Sequence, residues 1–495
     1  MTSKASSTKT AKGAMGGLDR YFAISARGSS WWQEVRGGFV TFFTMSYIVV
    51  LNPLIIGTAM DADKKFIGGV ASAADAIPLV AAATALIAGI VTIAMGVIGK
   101  YPFALATGLG LNAFVAFGIA AKMTWADAMG LVVIEGIVIV ILVLVGLRRA
   151  IFNALPGDLK TAIAVGIGLF IALIGFVDAG FVRKSAGGTP IELGVAGNLS
   201  GWPTLVFVVG LILTAILVVR KVKGGILIGI VTSTVLAIVI EAVAKVGPTV
   251  SGKTVNPIGW HLVVPKLPEQ FLQVPNLSLI GQFNLLGSWS RVGVVTALLF
   301  VFTLALSDFF DSMGTIVGIS KEGNLLDAKG DLPGFDRVLL VDAAAAAAGG
   351  VGSVSSTTVY VESAAGVGEG ARTGFASVVT GLLFLVAMFL TPLVAVVPFE
   401  AATPALVVVG FLMMTQIRDI NWSDYGVAIP AFLTVVLMPF TYSITVGIGA
   451  GLVSYAVIRG AQGRGREVHP LLWGIAALFV IYFAISPIEK LLGLG

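Results

Sequence analysis

The chain has 495 residues, of which 57% are hydrophobic and 12% charged, and its mean hydropathy is +1.00. Soluble domains carry about a quarter charged residues, so this composition excludes an ordinary soluble fold. The net charge of +5 does not indicate nucleic-acid binding, because the basic residues lie beside the ends of apolar runs. Cysteine is absent, which excludes disulfides, and the two histidines, His261 and His469, fall in predicted connections.

Long apolar runs dominate the sequence. Residues 77–99 and 202–219 contain no ionisable side chain, and about 20 such residues form a helix that crosses a bilayer core of ~30 Å. We count about fourteen candidate spans, followed by an apolar stretch from Pro470 to Ile485 that is either a further span or a surface-lying helix. The polar, Lys- and Ser-rich leader Met1–Gly17 has no short apolar core or small-residue cleavage site, so we expect no removable signal peptide.

Basic residues recur at every second connection, which predicts a cytoplasmic amino terminus by the positive-inside rule. They are Lys4, Lys9, Lys12, Arg20 and Arg36 before the first span, Arg148 and Arg149 after the fourth, and Arg220, Lys221 and Lys223 after the sixth. The polar connection 246–291 should therefore be external, and it separates two halves of seven spans each. An odd number of spans per half predicts opposite orientations of the halves, as in an inverted-repeat transporter.

The third span of each half is disturbed. The third candidate span, 103–121, contains the Gly-rich stretch 106–112, and the tenth, 349–363, is rich in Gly, Ser and Thr. Broken backbone at membrane depth is tolerated only where it is buried in protein or lines a cavity. We therefore favour a binding site here over two ordinary helices packed through glycine.

Three carboxylates lie inside predicted spans. Asp308 and Asp311 are the only ionisable residues of the eighth span, and their three-residue spacing puts them on one helix face. Glu362 lies in the broken tenth span. Charged groups at this depth are costly and mark functional sites, although Asp311 could equally cap a neighbouring helix. Glu135 in the fourth span could equally make a structural hydrogen bond.

These side chains suit a planar heterocycle that carries ring N–H groups. Carboxylates accept hydrogen bonds, Asn112 both donates and accepts, and Phe114, Phe309, Phe310 and Tyr360 offer flat apolar faces, although Phe114 and Phe309 could be packing residues. An inorganic anion fits badly, because no Lys or Arg lies mid-span in either interrupted region. A carboxylate in a low dielectric can titrate near neutral pH, which makes proton coupling plausible without excluding sodium.

Several motifs, in order along almost the whole chain, resemble the AzgA-type purine permeases of the nucleobase and ascorbate transporter family. They are the segments 18–22, 34–48 and 52–53 near the amino terminus, 108–114 in the third span, 308–311 with 314–315 in the eighth, and 360–366 with 372–374 in the tenth. Two positions depart from the family pattern. Thr107 stands where many relatives are expected to have proline, and Val359 replaces a small hydroxyl residue.

The resemblance implies an all-α polytopic fold of a core domain and a gate domain, with short strands before helices 3 and 10. The cytoplasmic amino-terminal segment would be 1–35. The core domain would consist of 36–147 and 292–397, and the gate domain of 158–245 and 402–459. The external connection is 246–291, and 460–495 forms the carboxyl-terminal segment. It also implies elevator-like movement in a cell membrane, with a homodimer among the expected assemblies. The protein would not be an enzyme and would need no cofactor.

The substrate is expected to be a purine nucleobase, and by resemblance Asp308, Glu362, Asn112 and Asp311 would bind it, with Asp308 and Glu362 as the candidates for proton coupling. The predicted site also includes Phe114, Phe309, Tyr360 and Thr358. An anion transporter or channel of related fold is the nearest alternative. An intramembrane aspartyl enzyme that uses Asp308 and Asp311 is a weaker one, because such pairs normally bring one acid from each of two helices.

Overall fold

The computed structural model describes residues 16–146, 155–185, 188–251, 254–327 and 332–491. The basic residues Lys4, Lys9, Lys12, Arg148 and Arg149, from which part of the orientation was predicted, lie outside this part of the chain.

The described chain is mostly helical. Fourteen helical segments precede a final helix, and we number them in chain order: α1 Trp31–Ile56, α2 Ala73–Gly99, α3 Leu109–Lys122, α4 Trp125–Leu144, α5 Gly157–Asp178, α6 Trp202–Val219, α7 Gly225–Ala244, α8 Gly287–Glu322, α9 Phe335–Val351, α10 Ser363–Gly368, α11 Gly374–Val394, α12 Phe399–Met414, α13 Tyr425–Phe440, α14 Ile444–Ala461 and α15 Pro470–Leu491. Within the described residues, ten helices are long and apolar enough to cross a membrane.

The strands are short and form three antiparallel pairs: β1 Leu105–Thr107 with β6 Thr357–Val359, β2 Val182–Arg183 with β3 Glu192–Leu193, and β4 Val250–Ser251 with β5 Thr254–Val255. A mostly helical chain of two halves with seven helical segments each, and a strand before helices 3 and 10, confirms the predicted fold class.

Hydroxyl side chains begin many of the helices. Ser30, Ser72, Thr124, Thr373 and Ser443 each stand just before a helix in extended backbone, and each side-chain oxygen accepts a hydrogen bond from an amide in the first turn. Such caps satisfy amide groups that have no partner inside the helix and typically stabilise it by about 1 kcal/mol.

The helices pack in two groups. Helices α1, α2, α4, α8, α9 and α11 contact one another, and α5, α6, α7, α12, α13 and α14 form the second set. Glycines allow the closest approaches: a Cβ atom at Gly136 of α4 would clash with the backbone of Ala347 in α9, and one at Gly168 of α5 would lie 2.7 Å from the carbonyl oxygen of Gly410 in α12. Small residues at such crossings are typical of membrane helix packing. Which parts of the chain move together remains a prediction.

The final apolar stretch forms α15, which packs on α14 and α8. Phe479 is fully buried, and its ring lies 6.4 Å from the ring of Phe302 in α8. On the same side, the Lys122 ammonium at the end of α3 lies 3.4 Å from the Tyr482 hydroxyl. Helix α15 therefore contacts both helix groups.

Candidate functional site

A cavity lies where the two interrupted segments approach α8, the break in α1 and helix α12. Its empty space is about 490 Å³, a volume that includes the open solvent at its mouth. Its lining residues are Tyr47, Gly108, Leu109, Gly110, Asp311, Thr315, Val359, Tyr360, Val361, Glu362, Val409 and Met413. Helix α12 belongs to the second helix group. The other elements that line the cavity belong to the first helix group or contact it, so both groups contribute to the cavity walls.

The pairing of β1 with β6 holds the broken backbone of both segments. Leu105, Ala106 and Thr107 lie opposite Val359, Thr358 and Thr357 in an antiparallel register. Beyond the strands, the Tyr360 amide donates to the Ala104 carbonyl at 2.9 Å, and the Gly108 amide donates to the Ser356 carbonyl at 3.1 Å. These bonds satisfy polar groups that would otherwise be unpaired at membrane depth.

Two of the predicted carboxylates line the cavity. Asp311 of α8 is exposed to it, and Glu362 lies at its edge immediately before α10. The Tyr47 hydroxyl donates a hydrogen bond to the Glu362 Oε1 atom. Asp308, one turn before Asp311, is fully buried and is not among the lining residues.

Asn112 and Tyr360 are connected through Thr107. The Asn112 amide nitrogen donates to the Thr107 hydroxyl oxygen at 3.1 Å, and the Tyr360 hydroxyl donates to the Thr107 carbonyl at 2.6 Å. Tyr360 lines the cavity, whereas Asn112 is fully buried behind it. Thr107 therefore links the two interrupted segments.

The other predicted site residues lie behind the cavity wall. Phe114 is buried, with its ring 6.1 Å from that of Phe300 in an edge-to-face arrangement. Phe309 and Thr358 are also buried, and neither lines the cavity. The side chain of Phe310 lies outside the described part of the structure.

Glu135 of α4 is fully buried beside Ser356 and Asp342, away from the cavity lining.

Nine lining residues were not predicted as site residues. Five belong to the two interrupted segments, namely Gly108, Leu109, Gly110, Val359 and Val361, and four lie outside them: Tyr47, Thr315, Val409 and Met413. Tyr47 lies in the segment 34–48 that carried the family resemblance, and that was the available signal. The break of α1 at Ser46 and Tyr47 is visible only in the structure. Val409 and Met413 are ordinary apolar residues of α12, and no local pattern distinguishes them.

The polar groups on the cavity wall are mainly acceptors. Among the residues that the structure describes, the lining set contains two carboxylates and no Lys or Arg. Carboxylates accept hydrogen bonds from N–H groups, and the rings of Tyr47 and Tyr360, whose centroids are 6.5 Å apart, offer flat apolar surfaces.

A family profile described as a permease family, Xan_ur_permease, matches residues 32–450. The chain belongs to this family. The permease is 36% identical to the guanine/hypoxanthine permease PbuG of Bacillus subtilis over 94% of its own length and 99% of the relative's. It is 35% identical to the adenine permease AdeP of Escherichia coli, over 95% and 97% of the two chains. These similarities confirm the resemblance to purine permeases, and the protein is a membrane permease rather than an enzyme.

Two solved structures share the fold of this permease. The transmembrane domain of the cyanobacterial bicarbonate transporter BicA aligns with a TM-score of 0.55 and 14% identity, over 85% of this chain and 97% of that one. The structure of SLC26A9 aligns with a TM-score of 0.54 and 13% identity, over 87% and 65%. At this level of identity the likeness concerns the fold alone.

Proposed function

We propose that this permease imports purine nucleobases, namely hypoxanthine, guanine and adenine, by proton symport. The observation that carries the proposal is the cavity in which Asp311 and Glu362 face the space between the two helix groups. Several relatives that match over nearly the whole chain are named guanine/hypoxanthine or adenine permeases, which supports the same substrate class.

The chemistry of the cavity supports a purine. The Asp311 and Glu362 carboxylates would accept hydrogen bonds from ring and exocyclic N–H groups, and the aromatic rings of Tyr47 and Tyr360 would contact the flat base. Val409 and Met413 provide an apolar surface from the second helix group. A site that pairs with substrate N–H groups discriminates against molecules that lack them, because its own buried polar groups would then stay unpaired.

Asp308 and Glu362 are the proposed proton carriers. Carboxylates at membrane depth are costly in the charged form and commonly serve proton relays in transporters. Binding a proton and a base in the same region would link the two. Protonation changes the charge and the hydrogen-bonding capacity that the carboxylate offers to the base, and the bound base changes how much water reaches the carboxylate. The proton gradient would then drive import without a cofactor, and sodium dependence would contradict this part of the proposal.

The proposed movement is an elevator-like step of the first helix group, which corresponds to the predicted core domain, against the second helix group, which corresponds to the predicted gate domain. The position of the cavity between the two groups supports this, because such a displacement would open it to either side. We further propose that the protein resides in the cell membrane with a cytoplasmic amino terminus and acts within a homodimer. The absence of native cysteine allows single cysteines to be introduced and labelled from either side to test the orientation.

The test is uptake of labelled hypoxanthine, at two external pH values, by cells that lack their own purine permeases. Unlabelled adenine, guanine, xanthine, uracil, sulfate and bicarbonate serve as competitors. We expect uptake that rises at acid pH, collapses with a protonophore and is inhibited by adenine or guanine. Inserted protein that takes up no purine would refute the substrate class, whereas uptake that depends on sodium alone would refute only proton coupling.

Anion transport is the alternative that the shared fold raises, because one of the aligned structures is named a bicarbonate transporter. A site for an inorganic anion needs a cation or converging backbone N–H groups. In the described chain the lining set includes the first residues of α3, but it contains no Lys or Arg and has two acids, whose negative charge would repel an anion. Inhibition by sulfate or bicarbonate, with no inhibition by purines, would favour this alternative.

A further inference from the structure

Tyr47 lies at the interruption of α1, between the helical stretches Trp31–Met45 and Ile48–Ile56. Its side chain is 2% exposed, yet it is one of the residues that line the cavity. The ring is therefore fixed by packing, while one part of it borders the space proposed for the substrate.

The Tyr47 hydroxyl donates to Oε1 of Glu362, a residue 315 positions later in the chain. The Thr44 hydroxyl of the same helix donates to the Thr41 carbonyl at 2.9 Å and lies 3.4 Å from the Glu362 carbonyl oxygen. The hydroxyl of Tyr360, the other cavity tyrosine, instead donates to Thr107. Tyr47 is thus the cavity tyrosine that contacts the carboxylate.

Close packing of α1 against α10 allows the contact between Tyr47 and Glu362. A Cβ atom at Gly37 would lie 2.9 Å from the Gly366 carbonyl oxygen, and one at Gly366 would clash with the Thr41 hydroxyl. Only glycine at these two positions allows the helices to approach so closely. This approach brings Tyr47, farther along α1, within hydrogen-bonding distance of Glu362 at the start of α10.

We propose that Tyr47 is a positioning residue that orients the Glu362 carboxylate for the substrate. The inference rests on the proposed purine transport. By occupying Oε1, the phenol fixes the plane of the carboxylate and leaves Oε2 to accept a hydrogen bond from an N–H group of the base. A bond of this charge-assisted kind is stronger than one between neutral groups, so its loss should weaken substrate binding measurably.

The experiment compares Tyr47→Phe with wild type for hypoxanthine uptake, normalised to the amount of protein in the membrane. We expect KM to rise about tenfold while the maximal rate per molecule stays within twofold. Tyr101→Phe is the matched control, because Tyr101 is also buried and its hydroxyl donates to the Pro333 carbonyl away from the cavity. Its KM should be unchanged.

A double-mutant cycle separates positioning from a local packing defect. In a Glu362→Ala background, Tyr47→Phe should raise the dissociation constant no further, because the acceptor that it orients is gone. This constant is read from hypoxanthine-induced thermal stabilisation of the purified proteins, so that it does not require transport. Equal effects of Tyr47→Phe in both backgrounds would overturn the inference.

If Tyr47→Phe fails to insert, Tyr47→Leu, which removes both the ring and the hydroxyl, is measured in the same way. Loss of the ring contact raises the dissociation constant in either background, so we expect a larger increase when Glu362 is present than in the Glu362→Ala background. Equal increases overturn the inference. Wild-type protein that neither takes up nor binds purine would refute the proposed function itself. Normal wild-type uptake with an unchanged KM in Tyr47→Phe would refute the positioning role alone.

Discussion

The Tyr360 hydroxyl donates a hydrogen bond to the Thr107 carbonyl at 2.6 Å and so connects the two interrupted segments at the cavity. The two residues are 253 positions apart and come from different halves of the chain. The hydroxyl of Thr107 also accepts from Asn112. One residue in β1 therefore holds a cavity-lining aromatic ring through its backbone and a buried amide through its side chain.

Thr107→Val should separate these two roles. Valine keeps the branched shape and the carbonyl that binds Tyr360 but removes the oxygen that holds Asn112. We expect a rise of about fivefold in the KM for hypoxanthine, which corresponds to one ordinary hydrogen bond. Thr214→Val is the control, because the Thr214 hydroxyl is buried and donates to the Gly210 carbonyl in its own helix. Equal KM values for the two variants would contradict the role of Thr107.

Asp311→Asn and Asp308→Asn should differ in how they impair transport. Asp311 contacts the cavity, so its amide variant should raise KM by about tenfold through the loss of a charged acceptor. Asp308→Asn should insert normally but lose transport, because an amide cannot exchange the proposed proton. Uptake kinetics and membrane abundance, with the exposed Asp419→Asn as control, test both expectations. Proton-coupled uptake by Asp308→Asn would remove Asp308 from the mechanism.

The Glu369 carboxylate binds two cations from different helix groups. Lys223, in the connection between α6 and α7, forms one ion pair with it, and Arg36 of α1 forms the other at 2.8 Å. Movement of one group against the other would break only the Lys223 pair. We therefore expect Lys223→Ala to change the maximal uptake rate by up to about fivefold, given that exposed pairs contribute about 1 kcal/mol or less.

Arg36→Ala is the matched control for this ion pair, since it removes a cation from the same carboxylate within one helix group. It should alter the unfolding temperature more than the maximal rate. Both variants are compared at low and high salt, because screening should reduce the effect of Lys223→Ala. Identical changes in uptake for the two variants would argue against a contact that breaks during transport.

Asp424, just before α13, gives a prediction for stability against pH. The Arg459 guanidinium donates to its carboxylate at 2.8 Å and holds the pKa of Asp424 below its ordinary value of 3.8. Because the folded protein then binds this proton less readily than the unfolded chain, the pair stabilises the fold above pH 3.8. That stabilisation is lost as the pH falls through the lowered pKa.

Asp424→Asn should therefore lower the unfolding temperature of the detergent-solubilised protein at pH 7, and the difference from wild type should shrink as the pH falls below 3.8. Thermal unfolding over a series of pH values measures this, with Asp419→Asn as the control. A difference that stays constant down to the lowest pH would mean that the charge of Asp424 contributes nothing.

The sequence by itself determined the membrane class, the two sets of seven helical segments and the interruption of the third and tenth. These features follow from local composition, because the length of an apolar run and the presence of Gly and Ser in it limit what the backbone can form in a bilayer. The acids Asp311 and Glu362 were also selected from the sequence, because a charged residue at membrane depth is rare whatever the arrangement of the helices.

Only the tertiary structure decided which of these groups meet. The spacing of Asp308 and Asp311 predicts a shared helix face, yet Asp311 borders the cavity and Asp308 is buried. Helical periodicity relates residues within one helix but contains no information about what the face packs against. The contact between Tyr47 and Glu362 depends on how closely α1 approaches α10, and that distance is set by side-chain volumes in two segments far apart in the chain.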